Sequence, residues 1–572
     1  MQCSVDRTID GVLHVVLSPN LTPETLAVAL QGLATLPRRH SMTRVHLSQP
    51  FSKFTLDLFR NLTLGVARVL AHCPHADWDI STVKDAPPLD LLVQVWLETF
   101  STTQKLSLNL TRRKLTASNC HSLVLLHPFL CGLRMDANEQ VVPSLFSTGI
   151  VWSQLESLEL PRTFFPRYSQ LFATFLQLIA PFQPNPALPA LKRLSLESNS
   201  FSKVDIVHLA STLRFHQTLE HVSLAYSIPS LDIETALWLA YGLIQSPYSC
   251  ISSLNLSGLP FQHEELTAMK NFDISQLLQE QERPEGSSPL GLHWIDQNSV
   301  NRSQASTVGE IIGWIQNAAG VVLPGQGLVW LDEKDIRGSV ALSRGPPASL
   351  KHLIVDDIRH QGLLAPLIDI FPAVNRLESL RVRRYGHTGA ELHQVLTRCA
   401  GLLSLDIKSC RFMEIDGIID VWRMQPLVHP LQRLNLGNNL IGATGAIHLA
   451  DALCHSGLVD LNVSKNLIGD LGLVALDHAL ESNQSLVRLT IDDADGSTAQ
   501  IQFLGHHDNR PLCVASLPTT VKYLFIGILQ EKHRALGGLD HSMWTQVADP
   551  SILQRIFAFA ASLLVRQVRL VH

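Results

Sequence analysis

The chain has 572 residues, of which 46% are hydrophobic and 17% charged, with a formal net charge of −5 and nine cysteines. One hydrophobic core stops growing at roughly 250–300 residues, so this length predicts several domains or a repeat array. The acidic balance argues against a nucleic-acid partner, because such binders usually carry a basic excess. Scattered cysteines, and no recognisable signal peptide or long apolar run, lead us to expect a cytoplasmic protein without a membrane segment.

The first half of the chain carries repeat-like signals that strengthen along it. Residues 1–150 are interpreted as degenerate N-terminal repeats and a cap, with weak strand signals at 42–47 and 106–108. Residues 151–271 are predicted to be proper repeats, and the clearest copy reads L-K-R-L-S-L-E-S-N-S-F from Leu191. Strands are expected to begin near Leu155, Leu191, Leu219 and Ile251.

The repeat register is lost between 272 and 345. Residues 279–289 are polar and rich in Pro, Gly and Ser, which predicts an exposed loop. The apolar segments 290–295 and 309–319 are interpreted as the strand and the helix of one degenerate repeat. We therefore predict an irregular linker with a single degenerate repeat in this region.

Residues 346–500 contain the most regular repeats. The pattern L-x-x-L-x-L-x-x-N-x-L begins at Leu431 and returns at Leu458. Ile replaces the last Leu of both copies, and Val replaces one Leu of the second copy. Alternation of apolar and polar residues in 434–436 predicts a half-buried strand, and helical spacing in 446–453 predicts a helix packed behind it. Strand starts are predicted at Leu350, Leu377, Leu402, Leu431, Leu458 and Leu486.

An asparagine follows each strand of the two clearest repeats, as Asn439 and Asn466. Its amide can both donate and accept hydrogen bonds, so we expect it to bond exposed backbone groups between successive strands. Cys410 occupies the equivalent place in the repeat that begins at Leu402.

Residues 515–572 break the pattern again and are predicted to form a helical C-terminal cap. Asp549 followed by Pro550 predicts a helix start. The segment 552–559 resembles the core of an F-box, although Pro550 is one residue too close and few residues follow. An alternative function is therefore a ubiquitin-ligase substrate receptor, with this helix recruiting a Skp1-like adaptor.

The repeat unit resembles the ribonuclease-inhibitor-like class of leucine-rich repeats, most closely over 350–483 and less closely over 155–261. Cytosolic inhibitors, the sensing arms of NOD-like receptors and Ran GTPase-activating proteins share this class. The resemblance implies an α/β horseshoe solenoid, with a parallel sheet on its concave face and helices on its convex face. It also implies a non-catalytic scaffold or adaptor that binds another protein. A second alternative, GTPase activation of the Ran type, would need an exposed arginine such as Arg384 or Arg411.

Sequence motifs for chemistry are few. We find no phosphate-binding loop, nucleophile elbow or zinc-protease motif, so we expect no enzyme activity and no cofactor. Stacked repeats could bring Cys73, His75, His127 and Cys131 together as a zinc site, but ordinary helix-end and core positions explain them more simply. We therefore expect no metal. The His-His-Asp sequence at 506–508 is interpreted as a solvated loop.

The outward strand positions of the regular repeats are expected to bind a protein partner. Asp356 and Asp357 could pair with Arg383 and Arg384, which would make the face a self-neutralising ladder. The alternative is a mixed-charge face that selects its partner by complementarity. The predicted partner-binding residues are Asp356, Asp357, Arg381, Arg383, Arg384, Asp406, Lys408, Asn435, Asp460, Asn462, Lys465, Arg488, Asp492 and Asp493.

Overall fold

A computed structural model gives the backbone of residues 4–7, 12–17 and 42–47, and describes most residues in the following ranges: 56–64, 75–81, 88–99, 104–146, 149–180, 187–279, 310–315, 318–332, 350–386, 389–411, 419, 431–454, 456–492, 498–508 and 566–571. The chain divides into two compact units. One comprises Met1–Ser349 with Ile370–Pro372, and the other comprises Leu350–Asp369 with Ala373–His572. Within the described ranges, no helix has both the length and the apolar character needed to cross a bilayer.

The first unit alternates strands with helices. Its strands are β1 (Ser4–Arg7), β2 (Val12–Leu17), β3 (Met42–Leu47), β4 (His75–Asp79), β5 (Lys105–Asn109), β6 (Leu130–Arg134), β7 (Ser157–Glu159), β8 (Arg193–Ser195), β9 (His221–Ser223) and β10 (Ser253–Asn255). Its helices are α1 (Leu89–Thr99), α2 (Ala117–Val124), α3 (Val141–Phe146), α4 (Ser169–Ile179), α5 (Lys203–Arg214), α6 (Ile233–Leu239), α7 (His263–Lys270) and α8 (Gln276–Gln279). β1 pairs antiparallel with β2, and each later strand pairs parallel with the one before it.

A separate three-stranded antiparallel sheet follows, formed by β11 (Glu310–Ile315), β12 (Ala318–Leu323) and β13 (Gly327–Asp332). The helix that we predicted in 309–319 is therefore wrong. This stretch is mostly apolar, so its periodicity could not separate a helix from a strand, and its three isoleucines and one tryptophan favour the strand.

The small sheet packs against the helices of the first unit through the buried Arg214, at the end of α5. Its Nε and Nη2 donate to the two carboxylate oxygens of Glu310, each at 3.0 Å. Its Nη1 donates to the backbone carbonyl oxygens of Tyr241 and Gln245, at 3.0 and 2.8 Å. The Tyr241 hydroxyl donates to Glu310 at 2.7 Å. Every hydrogen-bonding nitrogen of this buried guanidinium is thereby satisfied, which a buried charge requires.

The second unit repeats the same alternation. Its strands are β14 (His352–Ile354), β15 (Ser379–Arg381), β16 (Ser404–Asp406), β17 (Arg433–Asn435), β18 (Asp460–Asn462), β19 (Arg488–Asp492) and β20 (Gln567–Val571). Its described helices are α9 (Leu364–Asp369), α10 (Gly389–Arg398), α11 (Ala443–Leu453), α12 (Gly469–Ser482) and α13 (Thr498–His507). Each strand pairs parallel with the next.

The predicted repeat register is confirmed in both units. The observed strands begin two residues after the predicted starts, as at Leu431 and β17 or Leu458 and β18. Leu434 and Leu461 are register partners and are both buried. The weaker signals at 42–47 and 106–108 also fall on strands, β3 and β5. The spacing of the leucines thus identifies the strands because each central leucine must lie beneath the sheet, against the helices.

The asparagine after each strand bonds two successive repeats, as predicted. The Asn439 amide donates to the carbonyl oxygens of Ile407 and Leu436, at 3.0 and 2.8 Å, and its Oδ1 accepts the Cys410 N–H at 2.8 Å. Asn466 and Asn199 make the same kinds of bonds in their own repeats. Asn138 occupies this place as well, in a repeat that we did not predict.

The residue just before this asparagine position adopts a left-handed backbone conformation. In several repeats its N–H donates to a carbonyl oxygen of the next repeat, for example from Asn438 to Ser464 at 2.7 Å. This conformation costs an L-residue roughly 1–2 kcal/mol. With φ between 50° and 70°, the residues at this position are Arg112, Ala137, Arg162, Ser198, Tyr226, Gly258, Asp357, Arg384, Ser409, Asn438 and Lys465.

The described end of the chain is a strand, so the predicted helical cap is wrong for Gln567–Val571; residues 515–565 lie outside the described residues. Arg566 is buried, and its Nη1 lies 3.1 Å from Nδ1 of His507. His507 is itself fully buried at the end of α13 and bonds Asp477 at 2.7 Å. The interpretation of 506–508 as a solvated loop is therefore wrong for His506 and His507, which lie in the helix α13, and His507 is not solvated. The Arg566 guanidinium also donates to the backbone carbonyl oxygens of Leu480, Asn483 and Leu486.

Candidate functional site

We call the open face the surface of the second unit's sheet on the side opposite the buried central leucines. Side chains alternate along each strand, so the residues before and after each leucine lie on this face. Parallel register arranges them in two rows, with neighbouring strands about 4.8 Å apart. One row is His352, Ser379, Ser404, Arg433, Asp460, Arg488 and Gln567; the other is Ile354, Arg381, Asp406, Asn435, Asn462, Thr490 and Arg569.

Arg383 and Arg384, the densest predicted positive cluster, both take part in ion pairs. Arg384 donates through Nε and Nη2 to the two carboxylate oxygens of Asp357, each at 2.5 Å, as the ladder interpretation predicted. Arg383 instead donates to Asp406 of the following repeat, with an Nε–Oδ2 distance of 3.1 Å. The hydrogen bond with Asp406 raises the pKa of Arg383. The side chain of Arg383 therefore pairs forward along the sheet, and not with Asp356.

Asp356 fixes the backbone of two neighbouring repeats. It is only 3% exposed. Its Oδ2 accepts a hydrogen bond from Nη2 of Arg381 at 2.5 Å, and its Oδ1 accepts the backbone N–H of Arg383 at 2.9 Å. A carboxylate this buried has little surface left for a partner. Its position therefore favours the structural interpretation of this residue over direct binding.

The far end of the open face is paired in the same way. Arg488 donates to Oδ2 of Asp460 from Nε and Nη2, at 3.0 and 2.8 Å. Asp492 accepts the backbone N–H of Asn466 at 3.1 Å and also that of Lys465, so it caps the turn after β18. Asp493 lies outside the described residues. The predicted charges at both ends of the face are thus largely neutralised within the fold.

The two asparagines at the centre of the open face, Asn435 and Asn462, are neutral and half-exposed. Oδ1 of Asn435 accepts the N–H of Gly437, and Oδ1 of Asn462 accepts the N–H of Ser464, each at 3.0 Å. These bonds fix both asparagine side chains in place. Arg433 is exposed beside them. Our sequence reading missed Arg433, although its position two residues before Asn435 is the signal for an outward side chain.

Two predicted lysines lie at the turns that border the open face. Lys408 is half-buried after β16, and Lys465 is exposed after β18 in the left-handed conformation. Together with Arg433 they give the centre of the face a positive character between the two paired ends. The face can therefore offer hydrogen-bond donors to a partner without first breaking an internal ion pair.

The proposed zinc ligands meet only in part. His75 and Cys131 come together, with an Nε2–Sγ distance of 3.4 Å, and Oγ of Ser107 lies 2.8 Å from that Nε2. His127 does not join them, because its Nδ1 contacts a backbone carbonyl oxygen of α2 at 3.0 Å; Cys73 lies outside the described residues. Burial raises the pKa of the Cys131 thiol. In the part of the chain that the structure describes, no three His, Cys, Asp or Glu side chains could hold a metal ion.

The arginines considered for GTPase activation differ in their surroundings. Arg384 is bound at both ends of its guanidinium by Asp357, so it would have to leave this ion pair to reach a nucleotide. Arg411 is exposed after β16 and also has a left-handed backbone. The F-box-like segment 552–559 lies outside the described residues, and its role in recruiting an adaptor stays a prediction.

Comparisons with known proteins do not assign this chain to a family. No protein-family profile matches the chain. A search of curated proteins also finds no significant match.

Proposed function

We propose that this chain is a leucine-rich repeat protein of the ribonuclease-inhibitor-like class, and a non-catalytic scaffold that binds a partner protein on its open face. The class is supported by the 27-residue spacing of Leu434 and Leu461, which the register pairs directly. It is also supported by Asn439 and Asn466, each of which bonds the backbone of two neighbouring repeats. In a curved array of this class, the open face would be the concave one.

The observation that carries the binding proposal is the fixed lattice of outward side chains on β16 to β19. Ion pairs at both ends, such as Arg383 with Asp406 and Arg488 with Asp460, order the side chains before any partner arrives. A surface that is already ordered loses little entropy on binding, so modest contacts at many positions can add up. The neutral centre around Asn435 and Asn462 offers polar contacts, and Arg433 offers the exposed charge.

Arg433→Glu is the variant that tests this proposal most cleanly. Reversing Arg383 or Arg384 would break an ion pair, so it would lower stability whether or not a partner binds there. Arg433 is exposed and its register partner on β18 is Asp460, so its reversal should lower stability only slightly, through like-charge repulsion between the two strands. Gln394→Glu, an exposed change on α10, is the matched control.

The partner would first be captured from cells with the full chain and then purified. Association kinetics would be measured at two salt concentrations for the wild type and both variants. If the open face binds the partner, Arg433→Glu slows association most strongly at low salt, and Gln394→Glu does not. Unchanged kinetics for Arg433→Glu would exclude the centre of the open face as the interface.

A further inference from the structure

A second surface of the second unit displays aliphatic side chains at repeated positions. Leu467 and Leu471 are 68% and 72% exposed, the highest values among the large hydrophobic residues described, and Val474 is 48% exposed. One repeat earlier, at the positions equivalent to Leu467 and Val474, Leu440 and Ile447 are 44% and 39% exposed. Single exposed aliphatic residues are ordinary on proteins, whereas a contiguous group marks an interaction site. We call these five residues the aliphatic patch.

The backbone brings the two repeats of the patch together at the turn before each helix. The N–H of Leu467 donates to the carbonyl oxygen of Ile441 at 2.8 Å. Leu440 is the chain neighbour of Ile441, so Leu440 and Leu467 lie side by side. Leu440 and Leu467 each directly follow the asparagine of their repeat. They therefore occupy equivalent positions, and both are exposed.

The helices α11 and α12 approach closely in the middle of the patch. A Cβ atom built on Gly472 would lie 2.8 Å from Cβ of Ala446, so the glycine allows the two helices to touch. Leu471 and Ile447 flank that contact as chain neighbours of these two residues. Val474 lies about one helical turn beyond Leu471. The five aliphatic side chains therefore form one surface that spans two repeats.

The charged residues on the two helices of this apolar surface are acidic. The helices α11 and α12 carry no lysine or arginine, and their acidic residues are Asp451, Asp470, Asp477 and Glu481. Asp451, Asp470 and Glu481 are exposed, and Glu481 continues the helical row formed by Leu471 and Val474. A nucleic acid or an anionic membrane would bring like charge to these carboxylates, and so would a second copy that docked through the same patch. A cationic ligand with an apolar side would not.

We propose that the aliphatic patch binds a basic amphipathic helix of a partner protein. Such a helix places apolar side chains at i, i+3, i+4 and i+7 on one face, which matches an apolar surface that extends across two repeats. Its lysines and arginines would lie against Asp451, Asp470 and Glu481. The surface is formed by the helices and not by the sheet, so the proposal does not depend on the open face.

The test uses the full-length chain and a labelled synthetic peptide of about 18 residues, or five helical turns, with leucines on one face and lysines on the other. Fluorescence anisotropy should show saturable binding. The double variant Leu467→Ser/Leu471→Ser should weaken that binding at least about tenfold, because truncated central anchors dominate interface energies. Ile501→Ser, on α13 and 62% exposed, is the matched control and should leave the affinity unchanged. Leu467, Leu471 and Ile501 are all exposed, so the thermal melts of both variants should stay close to that of the wild type.

A charge variant provides independent evidence. Asp451→Lys leaves the aliphatic side chains in place and should weaken binding of the peptide at low salt far more than at high salt. Equal weakening by Ile501→Ser would show that the peptide binds anywhere on an acidic protein, and would overturn the proposal. Equal affinity for a peptide with glutamate in place of lysine would also overturn it. Self-association in sedimentation velocity that is lost in the double variant would assign the patch to a second copy instead.

Discussion

Asn439→Ala tests whether the buried asparagine joins one repeat to the next. Asn439 is 4% exposed, and its side chain bonds the Cys410 N–H and the carbonyl oxygens of Ile407 and Leu436. Alanine would leave the Cys410 N–H and the Ile407 carbonyl oxygen without these bonds, whereas the Leu436 carbonyl oxygen keeps its bond from Asn466. Each unsatisfied buried group costs about 1–3 kcal/mol, so even the low end of this range predicts a loss of about 2 kcal/mol. That is a large fraction of the 5–15 kcal/mol that stabilises a typical domain.

Two further substitutions separate hydrogen bonding from side-chain loss at this turn. Asn439→Asp keeps an acceptor for the Cys410 N–H but directs a carboxylate oxygen toward the two carbonyl oxygens, so it should destabilise at least as much as alanine. Asn438→Gly is the matched control, because Asn438 is exposed and its left-handed backbone suits glycine. We expect this control to unfold within about 0.5 kcal/mol of the wild type.

The assay is urea unfolding of the full chain followed by circular dichroism, with hydrogen exchange measured on peptides from 404–441. The loss should appear as faster exchange at Cys410 and its neighbours, because solenoid stability depends mainly on contacts between adjacent repeats. The reasoning would be refuted if Asn439→Ala unfolded within about 0.5 kcal/mol of the wild type and left the exchange of Cys410 unchanged.

Two other predictions concern buried side chains. Leu434→Ala should cost about 2–5 kcal/mol, because Leu434 is 2% exposed beneath the sheet, and a denaturant melt equal to that of the wild type would contradict this. Burial lowers the pKa of His216 from 6.5 to about 4. The unfolded state binds this proton more readily, so stability should be complete above pH 6.5 and fall by up to about 3 kcal/mol as the pH drops toward 4. His216→Gln should flatten that slope, with the exposed His121→Gln as control, and an unchanged slope would oppose the assignment.

The sequence predicted the regular repeats well because their leucines and asparagines have no freedom of position. The central leucines must be buried under the sheet, and Asn439 and Asn466 must reach two backbones at once. The repeat with Asn138 was missed although Leu130, Leu133, Met135 and Asn138 keep the spacing of the pattern, with Met in place of one Leu.

The ion pairs of the open face were harder to predict than its strands. The alternating charges were visible in the sequence, but a long arginine side chain can reach either neighbouring repeat. Arg384 pairs backward with Asp357, whereas Arg383 pairs forward with Asp406. The small sheet β11–β13 was missed because it does not belong to the repeat, and its anchor, Arg214 with Glu310, joins residues far apart in the chain.

The left-handed turn position has a consequence for how the repeats fit one another. Glycine suits this conformation, yet Tyr226 occupies it and is 45% exposed. Its ring lies against Gly258, the residue at the same position in the next repeat. A Cβ atom on Gly258 would come within 2.2 Å of the ring, so only glycine leaves room for it.

Tyr226 and Gly258 are therefore matched to each other, although each belongs to a different repeat. Arg384 and Asp357 form another such pair of neighbouring turns, joined by charge instead of by shape. In an array of identical copies, any repeat could be removed and its neighbours would still fit. Here complementary residues across these two boundaries match particular repeats to each other, so deleting or exchanging one of those repeats would leave mismatched turns at the new junction.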